Sequence, residues 1–276
     1  MPASQGHDDT ERLLECGLER CVSNIPAFKE ALKDPRPGMR IAGVRALGWL
    51  RLPELGPILA PFLSDESDEV RRWAAASIAL TRDTGSVESI LIALRTERHG
   101  NIRAALIRAL GWIGCQRAQP QLEIAASQDH AAVVRASAFQ ALGRLGVVLD
   151  GQLLRQGIRD DAPSVRMQAL RLLGDIEWSE LRALLSDAWR DPDPEVRLTA
   201  VRVAVAHGTH RARDMCLEAL IDMNPAVRIA GLVGIEQALY AVERSRVQMM
   251  VKDPHGEVGW HARRLLTKHQ HWLPCD

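Results

Sequence analysis

The stretch DPDPEVRLTAVRVAVA, residues 191–206, opens as an ordinary helix start. Asp191 and Asp193 can cap, and Pro192 or Pro194 fits a first turn. Arg197 then breaks the pattern. It follows Val196 directly and precedes Ala200 by three, so it falls within the apolar stripe, where an unpaired charge is costly.

The same arrangement recurs along the chain. An apolar residue followed by Arg, just inside a helix start, is found at Arg40, Arg71, Arg103, Arg135, Arg166, Arg197 and Arg228, in steps of 31 or 32 residues. One further step of 31 reaches Gly259, where the arginine is missing but the helix pattern persists. Six residues before each of these positions stands an acid: Asp34, Asp65, Glu97, Asp129, Asp160, Asp191, Asp222 and Asp253. Eight acids at one offset define a tandem array of about eight units.

Composition bounds what such an array can do. The 276 residues carry 35 basic and 35 acidic side chains, so no global field draws the chain to nucleic acid or an anionic membrane. Five scattered Cys make no disulfide framework and point to the cytoplasm. MPASQGHDDTERLLE lacks the basic and apolar regions of a secretory leader, and no apolar run is long enough to span a membrane.

Each period holds two apolar-patterned helical segments divided by turn residues, as in LPELGPILAPFL, SDESD and EVRRWAAASIAL. The endings RALGWL, RALGWI, QALGRLG and RLLGDI place Gly where a left-handed C-cap is expected. On a helical wheel, with the anchor arginine as zero, positions −1, +3, +4, +6 and +7 form one apolar arc, for example Val134, Ala138, Phe139, Ala141 and Leu142. The anchor lies inside that arc. It therefore requires the turn acids of its own or a neighbouring unit, and the repeated pair predicts a structural polar ladder.

Two helices per unit, an Asp in the turn and a Val-Arg six residues on resemble a HEAT repeat of the short kind known from phycobilin lyase-type proteins. The Ala-Leu-Gly endings at 46–48, 109–111 and 141–143 belong to the same pattern. The resemblance implies an all-α, right-handed α-solenoid of about eight helical hairpins over residues 24–269. Residues 1–23 would supply a capping helix and a disordered start, and 270–276 a tail. It also implies a protein-binding scaffold without catalysis or cofactor.

In HEAT-like solenoids the second helices line the concave face, so the wheel's other arc, at +1, +2, +5 and +9, should line a groove. Five of the eight +5 residues are arginines: Arg45, Arg108, Arg171, Arg202 and Arg264. Trp49 and Trp112 stand at +9 and Trp73 at +2. These eight residues form a candidate groove for an acidic protein segment, since Arg makes bidentate carboxylate contacts and Trp and Arg are favoured anchors. The plain alternative is a solvated face whose arginines pair with nearby acids. Trp189 occupies a first-helix core position.

Two other functions compete with this reading. HEAT-like alkylbase DNA glycosylases hold DNA on a basic face, and Asp175 with Trp112, Arg171 and Trp178 would be the matching set; the zero net charge opposes it. Chromophore binding, as in phycobilin lyases, rests on the fold resemblance alone. HEAT-type di-iron hydroxylases carry His-Glu pairs, and no His-Glu dipeptide occurs here. His255, His261, His269, His271 and Cys275 crowd the C-terminal end, but no two of the histidines have the i, i+4 spacing that sets two ligands on one helical face, and no metal site is expected.

Overall fold

The computed structural model describes residues 3–173, 178–238 and 244–269, with side chains except at 3–9, 178–180, 209–211 and 238. Among the described residues the only regular structure is helical. The chain forms two compact units, residues 1–153 and 154–276. Each is an all-α solenoid segment of helical hairpins.

In the first unit the second helices are α3 (Pro37–Leu50), α5 (Asp68–Thr81), α7 (Gly100–Ile113) and α9 (Ala132–Leu145). They lie side by side in sequence order. The first helices are α2 (Ile25–Ala31), α4 (Gly56–Leu59), α6 (Val87–Thr96) and α8 (Gln119–Gln128). The segment around α4 departs from the single helix its apolar pattern predicts: 3-10 turns at Pro53–Leu55 and Ala60–Ser64 flank it, because proline lacks the amide an α-helix interior needs. Before them, α1 (Ala3–Leu18) packs along α3 where a preceding second helix would lie. It comes so close that a Cβ on Gly17 would meet Ala46 Cα at 2.7 Å.

Helix α10 (Gly151–Ile158) spans the division between the units. The second unit continues with α11 (Pro163–Leu170), α12 (Trp178–Trp189), α13 (Pro194–Ala206), α14 (Thr209–Ala219), α15 (Pro225–Ala238), α16 (Arg244–Met250) and α17 (Gly256–Lys268). Trp189 packs against the core of Leu198, Val201, Ala219 and Val227.

The ladder resolves the anchor arginines. Arg103 Nε and Nη2 donate to the two carboxylate oxygens of Asp129, in the following unit, at 2.8 and 2.9 Å. Its Nη1 turns back and donates to the Arg98 carbonyl of its own turn at 2.7 Å. Arg40 binds Asp65, Arg166 binds Asp191, Arg197 binds Asp222 and Arg228 binds Asp253 in the same bidentate way. Arg71 does so with Glu97. Each acid also holds its own turn, because one carboxylate oxygen accepts the backbone N–H two residues on, as Asp129 does from Ala131 at 2.8 Å. Of the two repeat acids the sequence allows, the carboxylate is thus the neighbour's, and the own unit contributes carbonyls, joined at Arg71 by the carboxylate of Asp68 at 2.6 Å. Arg135 donates to its own Asp129 carbonyl at 2.8 Å, and Asp160 accepts from the Ala162 amide.

Both ends adapt. Asp34, with no preceding repeat arginine, is held by the Arg36 side chain and amide, which bring its carboxyl down to about 2. At Gly259 the missing anchor is partly replaced by Arg263, whose Nη1 donates to the Val251 carbonyl at 3.2 Å.

Two expectations need correction. Gly48 and Gly111 do not cap their helices; they lie inside α3 and α7. A Cβ on Gly111 would stand 2.7 Å from Ala141 Cα, and one on Gly48 2.5 Å from Ser77 Cβ, so these glycines let successive second helices touch. The left-handed position is three residues later, at Arg51 (φ 57), Arg82 (φ 54), Gly114 (φ 78) and Gly146 (φ 64). Of the glycines quoted in those endings, Gly146 is the one with the expected role, and Gly174 lies outside the described residues. An arginine there is strained by roughly 1–2 kcal/mol relative to ordinary helical geometry. Secondly, the +2 position does not generally face outward. Ala42, Ala105, Ser137 and Thr199 are buried, because each second helix is flanked by the next.

Two outcomes follow from this geometry. Burial pushes the carboxyls of Asp65, Glu97, Asp129, Asp222 and Asp253 up, but the arginine bonds and the turn amides outweigh it and leave each below its ordinary value. A depressed folded-state pKa gives stability that is present above the unfolded value, about 4, and is lost as pH falls through the folded one. Urea unfolding should therefore show stability dropping below about pH 5, and Asp129→Asn should flatten that slope by up to about one proton, ~1.4 kcal/mol per pH unit. Gly111→Ala should destabilise by about 1–3 kcal/mol, opposite in sign to the usual gain for Ala over Gly in a helix. A rise in urea midpoint would remove the close-contact explanation.

Candidate functional site

The ladder consumes one class of arginine; another class stands on the outward face of the second helices. In the first unit Arg45, on α3, lies between two tryptophans of successive repeats. Its guanidinium carbon is 4.9 Å from the ring centroid of Trp49 and 4.3 Å from that of Trp73. Arg72 covers Trp73 from its own helix at 5.0 Å, and Arg144 covers Trp112 at 4.2 Å. A cation over an aromatic face gains about 0.5–2 kcal/mol, more as water is excluded. The sequence pattern placed Trp73 at +2 and the arginines at +5 and +9. Their interleaving follows from the side-by-side packing of α3 and α5 and of α7 and α9.

The electrostatics of this face differ from those of the ladder. Arg45 and Arg108 are half-buried, yet among the described residues neither has a carboxylate within ion-pairing distance. The Nε of Arg45 is buried and has no hydrogen-bond partner among the described residues. Such an orphaned donor costs about 1–3 kcal/mol. Arg108 donates to Ser137 Oγ at 3.2 Å. Burial, and then the neighbouring guanidiniums of Arg144 and Arg72, push its pKa below the ordinary arginine value. Glu69, an acid nearby, is engaged by Arg72 at 3.1 Å.

Arg45, Trp49, Trp73, Arg108 and Trp112 thus all belong to the second-helix face of the first unit. Arg171, Arg202 and Arg264 lie in the second unit and are exposed. Arg264 stands 5.5 Å over Trp260, and Arg202 lines a separate cleft of about 470 Å³ that also contains Glu257. Asp175 and the side chain of Trp178, on which the glycosylase reading rests, lie outside the described residues, as do His271 and Cys275.

Two residues of the first-unit face lie outside the arc that the sequence pattern predicts, Arg51 and Arg82, whereas Arg72 at +1 and Arg144 at +9 fall within it. Arg51 and Arg82 line a cleft of about 610 Å³ together with Arg108 and Trp112. A signal for them exists in the sequence. Aligning the repeats at +11 gives Arg51, Arg82, Gly114 and Gly146, and two glycines in that column mark a position that prefers positive φ.

No curated protein matches the chain in sequence at a significant level. Solved structures match in fold. Escherichia coli YibA is similar with a TM-score of 0.64 at 16% identity, over 88% of this chain and 92% of that one. The complex of CpcE and CpcF of phycocyanin lyase from Nostoc sp. PCC7120 is similar with a TM-score of 0.50 at 20% identity, over 79% of this chain and 88% of that one. At these identities the likeness is one of fold. Residues 15–79, 56–143 and 151–236 match the HEAT-repeat family, which is most of the chain, and on that match and the repeated helical hairpins this chain belongs to the HEAT-repeat family.

Proposed function

We propose that this HEAT-repeat chain is a non-catalytic scaffold that binds an acidic segment of another protein through the arginine–tryptophan face of its first unit. The observation that carries the reading is the contrast between two sets of arginines. The ladder arginines Arg40, Arg71, Arg103, Arg166, Arg197 and Arg228 each bind a carboxylate, whereas Arg45 and Arg108 bind none among the described residues despite their partial burial. Half-buried guanidiniums without counter-charge favour a ligand that brings one, and exposed Trp112 adds an apolar anchor. Arg171, Arg202 and Arg264 extend the arginine set on the second unit in this reading. No helix among the described residues is long and apolar enough to cross a membrane. Cys16, Cys21, Cys115 and Cys216 are free thiols, which suits a reducing compartment, and we place the protein in the cytoplasm on that ground.

The test is recovery of partners from native lysate by wild type and by Arg45→Glu/Arg108→Glu, with and without nuclease. A protein partner should be recovered by wild type, be indifferent to nuclease, fall at least about tenfold with the double variant, and weaken as salt is raised. Equal recovery by the variant would refute the face as the binding surface. Recovery of nucleic acid that disappears on nuclease treatment would bring forward the DNA-binding alternative.

A further inference from the structure

The 610 Å³ cleft of the first unit is built differently from its neighbours. Its floor is small and apolar: Ala79, Ala105 and Ala109 are buried, and Ala76 occupies the +5 place that Arg45 and Arg108 hold in the adjacent repeats. The missing side chain at Ala76 opens the hollow, and Leu80 and half-exposed Trp112 form apolar walls. Three arginines border it, Arg51, Arg82 and Arg108, and among the described residues no Asp or Glu lines it. By contrast, a cleft of about 490 Å³ on the other side of Arg108 holds Asp68 and Glu69, and the second unit's cleft holds Glu257.

Arg51 and Arg82 hold positive φ, where the next two repeats use glycine. A cation near a helix C-terminus gains from the helix dipole anywhere in the last turn, so that attraction does not call for arginine at the left-handed residue itself. Arg20, past the end of α1, also holds positive φ (φ 53) and lines no part of this cleft, so it is the convergence of Arg51 and Arg82 with Arg108 on one cleft, rather than their φ, that points to a ligand.

We propose that this cleft binds a small amphipathic organic anion, with its apolar body on the alanine floor against Trp112 and its carboxylate, sulfonate or phosphate head between Arg51, Arg82 and Arg108. The volume lies within the range of small-molecule pockets, about 300–1,000 Å³, and is larger than one inserted side chain requires. The inference is independent of the protein partner, although Arg108 and Trp112 would serve both.

The probe is 1-anilinonaphthalene-8-sulfonate, titrated by fluorescence into the full-length protein and into Arg51→Gly/Arg82→Gly. Glycine suits the left-handed positions, so this variant should melt no lower than wild type. N-phenyl-1-naphthylamine, which lacks the sulfonate, is the neutral control. The expected result is saturable sulfonate-dye binding that weakens at least about tenfold in the variant, with the neutral dye unchanged. No saturable binding to wild type, equal affinity for wild type and variant, or a parallel loss of both dyes would each overturn the proposal.

Discussion

The structure depends on one repeated ionic bridge. An arginine within the apolar arc of a second helix gives two parallel bonds to the carboxylate of the next repeat's turn and a third to a carbonyl of its own turn. The same carboxylate accepts an amide of the turn it belongs to. Three elements are thereby fixed relative to one another: the helix, its own turn and the following turn. Buried ion pairs do not in general add stability over a hydrophobic substitute, but they penalise misregister strongly, because a displaced arginine would be left uncompensated. In an array whose units contact only their neighbours, register must be set at every junction. The ladder sets it with charge, and the small residues at Gly48 and Gly111 set it with shape.

Once the turns and junctions are fixed, the remaining helix surface is free to differ between repeats. That freedom is visible in the +5 column of the first unit, which runs Arg45, Ala76, Arg108 and Gln140. The two arginines bring charge that no carboxylate among the described residues pairs with, and the alanine between them makes room. Positions that hold the scaffold are nearly invariant from repeat to repeat, whereas those that form the face and cleft vary. In the proposed reading, function resides in these departures from the repeat, as expected where one fold supports many sites.

The repeat itself was legible because its signal is periodic: an acid at one offset eight times over, seven times with its arginine, cannot arise from local propensity. The partner of each arginine was not, since both the acid six residues before and the one 25 or 26 residues after satisfy the same pattern. The glycines misled for a related reason. Near a helix end, a glycine needed for close approach and one needed for positive φ look alike, and only the distance from Gly111 to Ala141 separates them. Trp49, Trp73 and Trp112 were placed correctly on the second helices, but their stacking with Arg45, Arg72 and Arg144 depends on neighbouring repeats that a single-helix wheel does not contain. The cleft was hidden because an absent side chain at Ala76 leaves no mark in a search for chemically distinctive residues.

A double-mutant cycle on Arg103 tests the inter-repeat bridge most directly. Arg103→Ala is combined with Asp129→Ala, 26 residues on, and separately with Glu97→Ala, six residues before. The unfolding free energies should show a coupling of about 1–3 kcal/mol for Arg103 with Asp129 and close to none for Arg103 with Glu97. Coupling confined to Glu97, or absent from both pairs, would contradict the account that successive repeats are locked together by the neighbour's acid.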